Sequence, residues 1–254
     1  MPYANNQGVR IHYQVEGDGP PLVLLHGGLA NLQVFYEIGY VEPLKKNYKL
    51  VLIDIRGYGA SDKPHNPDAY ELKPLTADIL AVLDDLNINK AHTLLGSSMS
   101  GRIAFGVAKY ASERFKSFII GAAHPYIPDQ KALEEDEAAL QAFKKGKDAV
   151  IEMMEKAGMK MTEERRTRLE ANDYEAIAAL FSATHWRLSL EDALPSMTMP
   201  CLVFAGEADP LHAGAKKCVQ SMPNGTFITV PGLGHFGVMA QMLPHITEFL
   251  ARVT

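Results

Sequence analysis

The sequence predicts an α/β protein: a mainly parallel central sheet flanked by helices, with a further group of helices inserted into it. Short, wholly apolar runs recur along the chain, and such runs are typical of strands buried on both faces. Segments with helical periodicity alternate with these runs, which indicates parallel strands joined by crossover helices. The alternation stops between about residues 126 and 195, where only helix-period segments occur. With 254 residues, 47% of them apolar, the chain can bury a substantial core.

The first predicted element is a hairpin. Residues 5–8 (NNQG) separate two strands at residues 2–4 and 9–15, and they favour a turn because Asn and Gly tolerate a positive φ. The second strand alternates apolar and polar residues, so we expect one of its faces to be exposed. Buried strands are then predicted at residues 22–25, 50–53 and 201–205, and further strands from residue 91 onward, at 117–122 and at 226–230. Helices are predicted at residues 32–46, 73–86, 99–110, 213–222 and 237–253.

The inserted segment divides the predicted domain in two along the sequence. Residues 1–125 and 196–254 are assigned to the sheet domain, and residues 126–195 to a helical cap. The insertion lies between two strands, at the end of the sheet where loops carry function. We therefore expect it to form a lid over a pocket. An independent interaction domain is the alternative. Within the insertion, helices are predicted at residues 130–145, 148–157, 163–171 and 174–186.

The composition limits which binding partners and which cellular compartment we expect. The net charge is −5 and no basic stripe occurs, so nucleic acid and anionic membrane are poor candidates as partners. Cys201 and Cys218 are interpreted as buried small hydrophobes rather than a disulfide. The N-terminus lacks the features of a signal peptide, and no run of about 18 apolar residues occurs. We therefore expect a soluble, cytoplasmic protein, either a monomer or a homodimer.

One stretch has the form of a strand that turns sharply into a helix. Residues 96–100 read GSSMS, and such a turn has room only for small side chains two places either side of its central residue. Ser98 meets that requirement, since Gly96 and Ser100 flank it, whereas Ser97 has bulky residues at both positions. The backbone N–H of Met99 and the helix dipole would then face any negative charge that forms beside the Ser98 hydroxyl. Taken alone, the pattern also fits an ordinary loop.

Two further strand-end residues complete a nucleophilic arrangement. Asp209 follows the strand at residues 201–205, and His235 follows the strand at residues 226–230. A serine hydroxyl is a weak nucleophile unless an imidazole takes its proton, and a carboxylate fixes the tautomer of that imidazole. Glu207 is the alternative acid. The remaining histidines show no metal-ligand spacing, so surface or packing roles are expected for His12, His65, His92, His185, His212 and His245.

Five motifs in this order resemble those of the α/β-hydrolase superfamily, and in particular its lid-bearing serine carboxylesterases and lactonases. They are the oxyanion-loop motif at residues 24–28 (LLHGG), the glycine-rich loop at 54–62 (DIRGYGASD), the elbow at 96–101 (GSSMSG), the acid turn at 204–211 (FAGEADPL) and the histidine loop at 232–236 (GLGHF). The resemblance covers nearly the whole chain. One departure is Ser100, which stands where the family usually has glycine.

The resemblance implies a role for each matched residue. Ser98 would attack a carbonyl carbon, His235 would carry the proton, and Asp209 would orient the imidazole. The backbone N–H groups of Gly28 and Met99 would form the oxyanion hole. No metal or organic cofactor is required. A structural role is expected for His26, and four residues are candidates for the substrate pocket, with loop or packing roles as their alternatives: His124, Trp186, Phe181 and Leu29.

The resulting prediction is a serine hydrolase that cleaves small, fairly apolar esters or lactones through an acyl-enzyme intermediate. Haloalkane dehalogenases and epoxide hydrolases of this fold place an aspartate where Ser98 stands, which argues against those reactions. Carbon–carbon hydrolases of ring-cleavage products and cofactor-free perhydrolases share the Ser-Met pair at the elbow and remain alternatives. A third possibility is a non-enzymatic module that binds a small ligand.

Overall fold

A computed structural model describes residues 2–253, and it confirms the mainly parallel sheet flanked by helices. The eight strands lie in the order β1-β2-β4-β3-β5-β6-β7-β8. β1 pairs with β2, and β2 with β4, in antiparallel fashion, while every later pairing is parallel. The strands are β1 Tyr3–Asn6, β2 Val9–Glu16, β3 Pro21–Leu25, β4 Lys49–Ile53, β5 Ala91–Ser97, β6 Phe115–Gly121, β7 Cys201–Gly206 and β8 Gly225–Val230.

The strand order creates a switch point between β3 and β5. The chain passes from β3 to β4 on one side and then crosses back to β5 on the other side. Leu25 at the end of β3 pairs with Gly96 near the end of β5. Because ligands of open parallel sheets bind beyond the carboxyl ends of the strands at such a point, the loops after β3 and β5 are the expected site.

Two helical layers cover the sheet, and successive residues of a strand pack against one layer and then the other. The helices are α1 Val34–Glu37, α2 Val41–Leu44, α3 Leu72–Asp85, α4 Met99–Ala111, α5 Gln130–Lys145, α6 Lys147–Lys156, α7 Glu163–Glu170, α8 Tyr174–Ser182, α9 His212–Cys218, α10 Val238–Gln241 and α11 Leu243–Arg252. In β4, Val51 and Ile53 face the layer that contains α3 and α4, whereas Leu50 and Leu52 face the layer that contains α1, α2, α10 and α11. Each fully buried side chain of this kind contributes roughly 1.5–3 kcal/mol.

Three predicted helices are wrong in their extent. The helix expected over residues 32–46 is split into α1 and α2, because Gly39 adopts a φ of +76° between them. The helix expected over residues 237–253 is interrupted after α10, and α11 starts afresh with Pro244 in its first turn, where the missing N–H is not needed. The helix expected over residues 174–186 ends at Ser182, and Trp186 lies in a separate 3-10 turn, Thr184–Arg187.

Residues 126–195, which we call the inserted helices, run between β6 and β7 and include α5 to α8. Three of these helices begin with a capping side chain: Asp129 accepts from Ala132 N, Thr162 accepts from Arg165 N, and Asp173 accepts from Ala176 N. α5 packs against α6 and α8, and the buried residues of these helices belong to the same apolar core as one face of the sheet. The domain boundaries drawn from the sequence remain a prediction.

Both cysteines are free and buried, and burial raises the pKa of the Cys201 thiol and of the Cys218 thiol to about 12. The helices formed by residues 2–253 include none with the length and apolar character of a membrane span.

Candidate active site

Ser98 lies at a strained turn between β5 and α4. Its φ of 58° and ψ of −121° are unusual for a residue with a side chain, and such a conformation costs about 1–3 kcal/mol. The turn is possible because Gly96 and Gly101 lack side chains. A Cβ atom at Gly96 would lie 2.4 Å from the carbonyl oxygen of Ser100, and one at Gly101 would lie 2.7 Å from Cβ of Ala123. The chain therefore holds the Ser98 hydroxyl clear of the sheet.

The serine that replaces a glycine at the elbow has a structural use. The Ser100 hydroxyl accepts a hydrogen bond from Ser97 N at 2.8 Å and lies 2.8 Å from the carbonyl oxygen of Leu25, to which it donates. Ser100 is fully buried. The hydroxyl thus joins the end of β5 to the end of β3, so the strand-to-helix contact is kept without the glycine.

Ser98, His235 and Asp209 form a continuous chain of hydrogen bonds, which we call the relay. Ser98 Oγ lies 2.8 Å from His235 Nε2, and His235 Nδ1 lies 3.0 Å from Asp209 Oδ2. Because a carboxylate only accepts, Nδ1 carries the proton and Nε2 is left free to accept from the serine. Asp209 is 4% exposed and also accepts from Leu211 N at 2.9 Å. The alternative acid, Glu207, is exposed and accepts from Gly232 N instead.

Two backbone N–H groups near the Ser98 turn have no hydrogen-bond partner among the residues that the structure describes. Neither the N–H of Gly28 nor that of Met99 donates a hydrogen bond to another residue in the range 2–253. The two residues are neighbours, since a Cβ atom at Gly28 would lie 3.9 Å from Cβ of Met99. Met99 is the first residue of α4, where the helix dipole favours negative charge. The role of the two N–H groups as an oxyanion hole remains a prediction.

The loop that carries Gly28 is braced by His26. The imidazole lies 2.8 Å from the carbonyl oxygen of Gly27 through Nδ1, and its Nε2 accepts from Ile55 N at 3.1 Å. His26 is buried, and burial lowers its pKa, so the ring is neutral as this bonding requires. Leu29, which follows Gly28, adopts a φ of +62°, and its carbonyl oxygen accepts from Asn172 Nδ2 of the inserted helices at 3.4 Å.

Asp54 binds the segment that follows Leu29 to two other parts of the chain. It is buried and accepts hydrogen bonds from His12 Nδ1 at 2.7 Å, Leu32 N at 2.8 Å and Ala60 N at 2.9 Å. One carboxylate therefore joins β2, the segment after Leu29 and the glycine-rich loop. The sequence placed Asp54 at the start of the glycine-rich loop motif, but its hydrogen-bond partners come from three separate segments and could not be predicted.

Three aromatic side chains of the inserted helices pack against one another, and we call them the aromatic cluster: Phe143, Phe181 and Trp186. Phe181 stacks on Trp186 with ring centroids 5.4 Å apart and an interplanar angle of 12°, and its centroid is 5.0 Å from that of Phe143. Cζ of Phe181 lies 3.5 Å from the position that a Cβ of Gly28 would occupy. Phe181 and Trp186 are predicted from the sequence as pocket residues, whereas Phe143 and Asn172 are not.

His124 is accounted for by packing. Its ring lies 5.5 Å from the ring of Tyr126, and Nδ1 accepts from the Tyr126 N–H at 3.3 Å. A Cβ atom at residue 214 would lie 2.3 Å from the imidazole, so Gly214 is needed for this placement. Burial lowers the pKa of His124, which favours the neutral ring that this hydrogen bond needs. Its role in a substrate pocket remains a prediction.

Comparisons with known proteins concern the family and the fold of the chain. The model of the alpha/beta hydrolase fold family matches residues 20–165. The chain is 36% identical over 135 residues to a cis-3-alkyl-4-alkyloxetan-2-one decarboxylase of Shewanella oneidensis, and 35% identical over 124 residues to epoxide hydrolase 4 of Mus musculus. These matches cover 52% and 48% of this chain, but only 41% and 34% of the two relatives. The crystal structure of an enol-lactonase from Burkholderia xenovorans shares the fold, with a TM-score of 0.83, 22% identity, and coverage of 98% of this chain and 100% of that one.

Proposed function

The chain belongs to the α/β-hydrolase fold family, and from that premise we propose that it is a serine hydrolase of carboxylic esters or lactones. The observation that carries the proposal is the relay, in which Ser98 Oγ, the imidazole of His235 and the carboxylate of Asp209 are hydrogen-bonded in series. The acceptor nitrogen already faces the hydroxyl whose proton it must take. General-base activation of this kind is what a serine nucleophile needs.

The proposed reaction has two halves. In the first, Ser98 Oγ attacks the carbonyl carbon while His235 Nε2 takes the hydroxyl proton, and the N–H groups of Gly28 and Met99 receive the charge on the carbonyl oxygen. His235 then gives the proton to the leaving alcohol oxygen, and the acyl group remains on Ser98. In the second half, His235 takes a proton from water, which attacks the acyl-enzyme, and the acid is released as the proton returns to Ser98.

The identity of the nucleophile favours acyl transfer over epoxide opening. Attack of a serine oxygen on an epoxide carbon would form an ether, which has no carbonyl carbon for water to attack, so the enzyme would stop after one turnover. Attack on an ester or lactone forms an acyl-enzyme that water can hydrolyse. This chemistry supports the ester and lactone proposal although one similar relative is an epoxide hydrolase.

The inserted helices are proposed to act as a lid over this site, and small, fairly apolar substrates are proposed because the aromatic cluster lies beside Gly28. Aromatic walls with a few convergent polar groups are typical of small-molecule sites. The lid would exclude water from the oxyanion and so strengthen its hydrogen bonds.

The proposal is tested with a panel of p-nitrophenyl esters, simple lactones and a vinylogous diketone acid that reports carbon–carbon hydrolysis. We expect turnover of esters or lactones, and we expect Ser98→Ala to reduce kcat by about 10⁴-fold or more. The matched control is Ser97→Ala, which removes the neighbouring hydroxyl and should keep most of the activity. Full activity in Ser98→Ala would contradict the proposal, and exclusive turnover of the diketone acid would replace it with carbon–carbon hydrolysis.

A further inference from the structure

Arg102 is a buried arginine one turn after Ser98 on α4. Arg102 is 7% exposed, and its backbone N–H donates to the carbonyl oxygen of Ser98 at 3.1 Å. A buried charge is expensive unless hydrogen bonds replace its hydration, and a carboxylate usually supplies them. No ion pair within residues 2–253 includes Arg102. The feature therefore needs an explanation.

The guanidinium donates to carbonyl oxygens alone. Nη1 donates to His124 O at 3.2 Å and to Tyr126 O at 3.3 Å. Nη2 donates to His185 O at 2.9 Å and also to Leu188 O. The remaining donor, Nε, is buried and has no partner among the described residues. Burial lowers the pKa of Arg102 to about 10, so the group is still charged at neutral pH.

The acceptor carbonyls belong to the two ends of the inserted helices. His124 and Tyr126 lie where the chain leaves β6, and His185 and Leu188 lie on the segment that returns toward β7. One planar group therefore spans both crossings between the sheet domain and the insertion. A lysine has a single nitrogen and could not reach both ends with the same fork of donors.

The segment that Arg102 holds is also the segment that carries the aromatic cluster. His185 directly precedes Trp186, whose Nε1 donates to Leu180 O at 2.7 Å and whose ring stacks on Phe181. Phe181 in turn lies against Gly28. A shift of the returning segment would thus be transmitted through Trp186 to the ring beside the proposed oxyanion site.

We propose that Arg102 is a positioning residue, which ties both ends of the inserted helices to the helix that follows Ser98 and so holds the aromatic cluster over the N–H groups of Gly28 and Met99. Its effect on kinetics rests on the proposed function. Its effect on the position of Trp186 does not, because that ring can be observed without turnover.

Trp186 is the one tryptophan among the 254 residues, so its fluorescence reports the cluster directly. In Arg102→Met, which keeps the length of the side chain but removes its donors, we expect a red shift of the emission maximum and faster quenching by acrylamide. We also expect kcat/KM for a p-nitrophenyl ester to fall about tenfold to a hundredfold, mainly through KM. A merely structural role would reduce the fraction of active enzyme, and hence kcat, with KM unchanged.

The matched control is Lys109→Met on the same helix. Lys109 Nζ lies 2.7 Å from Asp192 of the inserted helices, but the two side chains are 27% and 66% exposed, so we expect neither fluorescence nor KM to change. Arg102→Lys keeps a charge and should fall between Arg102→Met and the parent, and it serves as the test if Arg102→Met does not fold. Emission and quenching equal to the parent in both Arg102 variants would overturn the proposal. Failure of the parent to hydrolyse any ester would overturn the proposed function but leave the fluorescence test intact.

Discussion

The relay and the aromatic cluster are positioned by different parts of the fold. Each residue of the relay follows the end of a parallel strand, and the register of β5, β7 and β8 sets their relative positions. The aromatic cluster depends instead on side-chain packing among the inserted helices and on polar contacts at their ends. The backbone ladder of a sheet is difficult to shift, whereas packed helices on a few contacts can move. We therefore expect the relay residues to keep fixed positions, and we expect mutations in the aromatic cluster to change the substrate selectivity.

The largest effect on kcat is expected for Asp209, the charged residue of the relay. Asp209→Asn should lower kcat by about 10⁴-fold, because the amide NH2 can donate to Nδ1 and so favour the wrong imidazole tautomer, and because a neutral amide does not stabilise the imidazolium. Glu207→Gln is the matched control, since its carboxylate accepts from Gly232 N rather than from His235, and kcat should stay near that of the parent. Steady-state kinetics on one ester decide the point. Equal losses in the two variants would mean that the assignment of the acid is wrong.

A smaller effect is expected in the aromatic cluster. Phe181→Ala removes the ring that lies against Gly28, so longer acyl groups gain room. The ratio of kcat/KM for p-nitrophenyl octanoate to that for p-nitrophenyl acetate should rise about tenfold or more, since even one additional methylene in an apolar pocket is worth about 1–3 kcal/mol. Phe249→Ala, on α11 behind the sheet, is the control and should leave the ratio unchanged. An unchanged ratio in Phe181→Ala would show that this ring does not limit the acyl group.

The sheet elements were predictable because burial on both faces leaves a signature in the sequence. The apolar runs at residues 22–25 and 50–53 coincide with β3 and β4 to within one residue. Helix interruptions were not predicted, although Gly39 and Pro244 are the residues that cause them. In both places the apolar periodicity continues across the break, so periodicity alone could not locate it.

The same contrast holds for the candidate site. Ser98, Asp209 and His235 could be named because a strand end is a local feature and their order in the chain is distinctive. Phe143 and Arg102 were missed, since each acts through partners that are distant in the chain. The only local signal for Arg102 was a charged residue within the apolar helix Met99–Ala111, where burial is expected. A charged residue in a buried helix must have hydrogen-bond partners from other parts of the chain, and the sequence does not show which they are.

The smallest expected effect is on stability and concerns His185, which joins the inserted helices to the start of α3. His185 is 1% exposed, its Nδ1 lies 3.6 Å from Glu71 Oε2, and Glu71 also accepts from Thr184 N at 2.7 Å. Burial lowers the pKa of His185 to about 4; Glu71 opposes this shift, and the nearby charge of Arg102 adds to it. The folded chain therefore binds fewer protons than the unfolded chain between about pH 4 and pH 6.5.

This difference predicts that the free energy of unfolding falls as the pH is lowered through that window. The contribution of one such histidine is at most about 1.4 kcal/mol per pH unit. Urea unfolding of the parent and of His185→Leu at pH 7.5, 6 and 5 would measure it, and the variant should show the shallower slope. Comparison of slopes removes the constant cost of repacking. Parallel slopes would show that His185 is not held neutral by its surroundings.

The central claim is that the relay activates Ser98, and intact-mass spectrometry after incubation with phenylmethylsulfonyl fluoride tests it most directly. Trypsin cuts after Lys90 and Arg102, so Ser97, Ser98 and Ser100 fall in one peptide whose fragments distinguish them. A single adduct on Ser98, which is lost in His235→Ala and retained in Ser97→Ala, is the predicted result. An adduct on another serine, or none on Ser98 with this reagent and with a small organophosphonate alike, would contradict the claim.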